Sequence, residues 1–364
     1  LETAISGASA RPEDTVRLQN VLREARALAS SVNSTSREIQ TLRTRAEAEI
    51  ATTVENLNTG LKQVAGLNGR IVSAQASGHD TGALEDRRQT VIDDLSKIAP
   101  LRQLDRERGA VALVTTNGAL LLDGRVAQVD FEAKRQVTAD MTLGDGLNRP
   151  QIDGSPADTS PDGPLGGGRL SALFENRDRL GPEAQSDLDA IARHLTEPFV
   201  SNPEWPLADP APPLFTGADP GDAGLAGRIG LNKNFDPDEE VALAELRTGP
   251  GTAPGPDGIA EAPYLEVLAE AFVTPVSPAT DDPKLSLPKR VAELSGRVAQ
   301  ERLAAESAVS FSYGQASELR ELELRGGVDS DAELQRLLLV EQAFTANARM
   351  LQTLDDMMQT ILRI

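Results

Sequence analysis

From residue 13 to residue 77 the chain keeps one helical pattern without a break. Apolar side chains recur at helical steps through Val16, Val21, Leu22, Ala25, Leu28, Val32, Ile39, Leu42, Ala46, Ile50, Val54, Leu57, Leu61, Val64, Leu67 and Ile71, and no proline interrupts them. At ~1.5 Å rise per residue, one helix over that span is ~95 Å long. No single globular core needs such a length; a rod does. Pro12, Asp14 and Thr15 supply the start signals. Gly60, Gly66 and Gly69 each weaken the helix by about 1 kcal/mol against alanine.

After a turn at Gly78–Gly82 a second helix is predicted over 83–99, carrying Leu84, Val91, Leu95 and Ile98 on one face and stopped by Pro100. Residues 101–143 read as a β element. Two apolar runs flank Asn117-Gly118, a strong hairpin signal, and Gln128–Phe131 and Gln136–Leu143 are predicted as further strands. Residues 144–168 are dominated by Gly, Pro, Asp and Ser and read as a loop. Helical periodicity resumes over 168–199. These segments make 1–200 the first part of a rod domain. Residues 201–285 hold most of the prolines and read as an irregular, Pro/Gly-rich surface segment with two short helices, 238–246 and 263–272. The second part of the rod domain is a helix over 286–327, with Val291, Leu294, Val298, Leu303, Val309, Ser312, Leu319 and Leu322 in step. Gly326-Gly327 separates it from a terminal helix over 328–364.

That last helix carries a seam. Leu337, Val340, Phe344, Asn347, Leu351, Leu354, Met358 and Ile361 alternate at three- and four-residue spacing, as coiled-coil core positions do. Such a stripe must be buried against another helix, which points to an assembly element. Asn347 is its one polar position. A buried amide there would fix register at a cost in stability; with the helix slightly rotated, it would sit at the stripe's edge.

Composition narrows the function classes. Net charge is −20, which argues against a general binder of nucleic acid or anionic membrane, and aromatics make up only 3%. There is no cysteine, so no disulfide, thiolate metal site or cysteine nucleophile is expected. No apolar run is long enough to span a bilayer, so no membrane insertion is expected. The chain starts without Met in a helix-like pattern, which reads as truncation at the N-terminus.

No catalytic, cofactor or metal site is expected. His79 and His194 lie far apart in sequence, and no HExxH, Walker or dinucleotide-binding pattern occurs. Asn234, Asp236, Asp238 and Glu245 mimic part of a calcium loop, but Glu239 stands where the sharp turn requires Gly and Pro237 stiffens the middle. Asp238, Glu239 and Glu240 read instead as an acidic helix start. Gly166-Gly167-Gly168 precedes a helix without the Lys or Ser/Thr of a phosphate loop and reads as a flexible helix start. Asn33-Ser34-Thr35 is a formal glycosylation sequon placed mid-helix.

Several stretches resemble one family. Gly327-Val328-Asp329, Glu333-Leu334, Gln342-Ala343-Phe344, Asn347-Ala348-Arg349 and Thr353-Leu354-Asp355 closely resemble the end of flagellar hook-associated protein 1. Leu84–Pro100 (LEDRRQTVIDDLSKIAP), the GGGRLSALFENRDRL stretch and LFTGADPGDAGLAGRIGLNKNFDPD resemble internal segments of that family. The likeness runs from about Pro12 to Ile364. It departs from the family in lacking the N-terminal helix that pairs with the terminal one, and in a short outer segment.

The residues and the resemblance together give a mostly α fold: a side-by-side helical rod with a small β element and a reduced outer segment. The resemblance implies a structural, non-enzymatic protein exported through the flagellar type III channel, which joins hook to filament outside the cell. It implies four partners: further copies of itself, the hook protein, the next hook-associated protein and an export chaperone. Two other readings stand beside it, a non-polymerising, export-linked coiled-coil adaptor and a hydrolase with its site in 201–285.

Overall fold

A computed structural model describes residues 1–196, 213–217, 223–235, 240–249, 262–277 and 283–326, together with 341–342, 344–345, 347–348 and 350–353. Helix dominates, and the strands are short. The chain divides into two compact units, one of Leu1–Ile39, Glu183–Gln300 and Gln352–Ile364, the other of Gln40–Pro182 and Glu301–Leu351.

The long helix is real. α1 (Glu2–Ser9) is followed by α2 (Thr15–Ala76), which starts where the sequence places it. Asp14 accepts from the backbone N–H of Val16 at 3.0 Å and of Arg17 at 3.3 Å, meeting two of the donors that a helix start leaves bare. The apolar stripe is buried almost throughout, except that Val16 is 65% exposed.

In the first unit, α2 contributes Leu18, Val21, Leu22, Ala25 and Val32 to the core. α1 packs against a helix at Pro263–Val273, and that helix buries Tyr264, Leu265, Leu268 and Phe272. Phe235 stacks on Tyr264 at 5.4 Å. Phe215–Thr216 and Gly230–Leu231 pair antiparallel. The described part of 213–277 is therefore core-forming rather than an irregular surface. Its helices, Glu240–Thr248 and Pro263–Val273, fall close to the two predicted ones. Asp189, 2% exposed, accepts from the N–H groups of Gly224 and Ala226 at 2.7 and 2.8 Å, clamping a loop. Asn33 gives its amide to the carbonyls of Ala29 and Ile229, so the sequon asparagine is engaged in packing.

In the second unit, α3 (Gly82–Ile98) and the remainder of α2 cover an antiparallel sheet in the order β1-β2-β3-β4, made of Leu101–Asp105, Val111–Thr115, Leu120–Asp123 and Arg125–Val126. The β2–β3 hairpin turns at Asn117-Gly118 as expected, with Gly118 at φ +93°. Ile50, Leu57, Leu61, Ile92, Leu95, Leu113, Leu121, Leu165, Leu170 and Phe174 form one core. Two asparagines of α2 stand in for strand partners. Asn58 both donates to and accepts from the backbone of Val129, and Asn68 does the same for Val111.

The 144–168 segment contains short strands at Gly146–Leu147, Gln151–Ile152 and Ser155–Pro156, which the loop reading did not anticipate. Of 136–143, only Thr142–Leu143 is a strand. The glycine triplet is a tight crossing rather than a flexible start. A Cβ on Gly166 would lie 1.9 Å from the Pro161 carbonyl oxygen, and one on Gly168 (φ +81°) would lie 2.8 Å from that of Ile98.

α4 (Gly168–Glu175), a π-helical turn (Asn176–Leu180) and α5 (Gly181–Thr196) follow. A further helix runs from Leu287 to Gly326. Its early positions Val291, Leu294 and Val298 are buried, while Leu303, Phe311, Leu319 and Leu322 are 56–66% exposed. The sequence pattern treated both halves alike.

Candidate assembly interface

Of the seam, Leu337, Val340, Leu354, Met358 and Ile361 lie outside the described residues. Phe344, Asn347 and Leu351 fall in helical backbone. Leu351 is 6% exposed and Met350 9%, while Phe344 and Asn347 are half-buried. The seam positions that the structure describes are thus partly or wholly covered within the chain itself.

Asn347 has a defined partner. The amide Nδ2 of Asn176, on the π-helical turn, donates to Asn347 Oδ1. Asn176 is 8% exposed, and its own Oδ1 has no hydrogen-bond partner among the described residues. A π turn inserts one extra residue into a helix and redirects its side chains. Here it turns Asn176 towards the terminal segment and the next residue, Arg177, into the core.

Arg177 is fully buried in a polar cluster. Its Nη1 donates to Glu47 at 2.7 Å, and its Nε and Nη2 donate to Asp178 at 2.6 and 2.9 Å. The guanidinium lies 5.1 Å from the Phe174 ring centroid and 5.6 Å from that of Phe131. Burial alone would lower the Arg177 pKa, but hydrogen bonds to Asp178 and Glu47 outweigh it and raise the value. Arg43 lies alongside. Its Nε donates to the Arg177 carbonyl at 3.0 Å, and its other nitrogens reach the carbonyls of Thr138 at 3.0 Å and Met141 at 2.6 Å. Burial lowers its pKa, with Asp178 opposing. Glu47 also accepts from the Lys134 N–H at 2.8 Å.

These groups spend their hydrogen-bonding capacity on one another, so the arrangement fastens α2, the 131–141 segment and the π turn together. The sequence reading missed it. One signal was present: Arg43 and Glu47 fall four residues apart, in step with Ile39 and Ile50 on the helix's apolar stripe.

The other candidates hold no site geometry. His79 is exposed, and His194, 2% exposed, gives Nε2 to the Ala271 carbonyl at 3.4 Å. Among the described residues no group of three His, Asp or Glu is placed to hold a metal. Asp236 and Asp238 of the calcium-like pattern lie outside the described residues. Among the described residues no helix is long and apolar enough to cross a membrane.

A family model described as the flagellar hook-associated protein FlgK helical domain matches residues 1–200, more than half of the 364-residue chain. The chain belongs to the FlgK family. Residues 326–364, which carry the seam of this FlgK-family chain, match a second model, described as the flagellar basal body rod FlgEFG protein C-terminal. Flagellar hook-associated protein 1 of Bacillus subtilis (strain 168) is 28% identical over 103 residues, which is 28% of this chain and 20% of that protein. The flagellar hook junction protein FlgK from Burkholderia pseudomallei aligns with a TM-score of 0.46 and 20% identity, over 60% of this chain and 39% of that one. The chain thus spans well under half the length of the FlgK relatives it matches.

Proposed function

We propose that this chain is a structural, non-catalytic component of the bacterial flagellum that joins hook to filament. Its extended helices and its terminal seam serve axial assembly. The observation that carries this reading is the FlgK helical-domain match across residues 1–200. The rod-protein match over 326–364 supports it, because that region holds the three- and four-residue spacing of Leu337, Val340, Phe344, Asn347, Leu351, Leu354, Met358 and Ile361.

In this role the protein works outside the cell after export through the flagellar type III channel. Its partners are other copies of itself, the hook protein on one side and the next hook-associated protein on the other. A cytoplasmic chaperone would hold the seam before export, since an amphipathic helix fits a hydrophobic groove. The net charge of −20 argues against a general binder of nucleic acid or anionic lipid.

Deletion of the gene, with gold-labelled antibody against the chain on wild-type flagella, tests the proposal. Label confined to the hook–filament boundary and deleted cells bearing bare hooks are the expected results. Normal filaments in the deletion strain would rule the role out.

A further inference from the structure

Residues 132–141 run along α2 as a strap. Among the described residues their backbone joins no strand, and one turn closes within the strap, the Met141 N–H on the Thr138 carbonyl at 3.2 Å. Side chains hold the rest. Glu47 accepts from the Lys134 N–H at 2.8 Å and Thr44 from the Val137 N–H at 3.0 Å. Arg43 donates to the carbonyls of Thr138 at 3.0 Å and Met141 at 2.6 Å, and Asn148 donates to that of Glu132 at 2.8 Å. We propose that 132–141 opens and recloses as one unit while α2 and the β1–β4 sheet stay folded, with Arg43, Thr44 and Glu47 as its latch.

Little apolar surface resists this opening. Val137 is fully buried, but Glu132, Ala133, Arg135, Gln136 and Asp140 are exposed. Segments with few buried apolar contacts open far more often than core strands do. β2 is the contrast: it pairs with strands on both sides, and Val111, Ala112 and Leu113 are buried. The ends of the strap are pinned. Val129–Asp130 pairs with Gln151–Ile152 before it, and Thr142–Leu143 with Gly146–Leu147 after it. Opening is therefore a bulging of the middle, not a fraying from one end.

The latch survives opening. Glu47 keeps Arg177 through its other oxygen at 2.7 Å, and Arg43 keeps the Arg177 carbonyl at 3.0 Å. Both side chains stay held by the π turn, pre-organised to receive the strap again. Opening also has a consequence at the surface. Glu132 and Lys134 wall a cavity of about 780 Å³ together with Leu147, Asn148 and Arg149, so a moving strap reshapes that cavity.

Native-state hydrogen exchange of the full chain, at urea concentrations below its unfolding transition, tests the strap without any substitution. The Lys134 and Val137 amides are expected to exchange about a hundredfold faster than the amides of β2, and with little dependence on urea, because local opening exposes little surface. Thr44→Val keeps the side-chain shape but removes the acceptor, and should speed exchange at Val137 by about tenfold. Leu113→Val, outside the strap, should speed exchange in β2 and leave Lys134 and Val137 unchanged. Equal rates with equal urea dependence in strap and sheet would overturn the proposal, as would acceleration of both by Leu113→Val. An unchanged Val137 rate in Thr44→Val would remove Thr44 from the latch.

Discussion

Arg177 and Glu47 form an ion pair at 2.7 Å with both side chains fully buried. Two charges removed from water gain little net stability from each other, but losing one leaves the other stranded. Glu47→Ala should therefore destabilise the protein by about 3–5 kcal/mol, seen as a lower midpoint in urea unfolding. The double replacement Glu47→Leu/Arg177→Met should lose less than the two single changes summed. Additive losses would show that the pair is not coupled.

Glycine substitutions separate helix propensity from close approach. Gly66 lies exposed on α2, and no atom of the described residues comes within 4 Å of where its Cβ would sit. Gly66→Ala should stabilise by about 0.5–1 kcal/mol. Gly168 sits at φ +81°, where its Cβ would press on the Ile98 carbonyl, and Gly168→Ala should destabilise by about 1–3 kcal/mol. Calorimetric melting temperatures moving in the same direction would contradict the tight crossing.

His194 predicts a dependence on acid. Burial first, and the nearby Arg290 charge, hold its pKa down at about 4, against an ordinary 6.5, with the hydrogen bond to Ala271 opposing. The unfolded chain then takes up a proton that the folded chain refuses. Stability is fully present above pH 6.5 and falls as the pH drops towards 4, by up to about 3 kcal/mol for this group. Comparing His194→Leu with the parent in urea at pH 7, 5 and 4 isolates the effect. The variant should lose less stability on acidification, and an equal loss in both proteins would refute the assignment.

The parts of the fold legible in sequence are those where one local rule acts alone. α2 and α3 follow apolar periodicity, and the β2–β3 hairpin follows Asn117-Gly118. The stretch 136–143 misleads because Arg43 takes the carbonyls of Thr138 and Met141, so side chains replace a ladder that strand pattern alone would suggest. The strands within 144–168 are two-residue pairings with no alternation to find. The core of 213–277 hides among prolines at irregular spacing. Arg43 and Glu47 look like solvated charges until their place on the apolar stripe is noticed. Asn347 was legible as a singular polar position, but its partner Asn176 lies 171 residues away, beyond the reach of any local pattern.

The seam itself makes a prediction in cells. Leu351→Asp places a charge at a buried position, at a cost of several kcal/mol, and Phe344→Asp places one at a half-buried position. Junction assembly should be lost while circular dichroism shows the helices of residues 13–326 intact. Normal motility and retained filaments in either variant would reject the seam as the assembly element.

A density map of the hook–filament boundary, from cells producing only this chain, tests the junction role most directly. The expected map shows the chain between hook and filament, with Phe344, Asn347 and Leu351 packed on helices of neighbouring subunits. A boundary built without this chain, or one in which those residues face solvent, would contradict it.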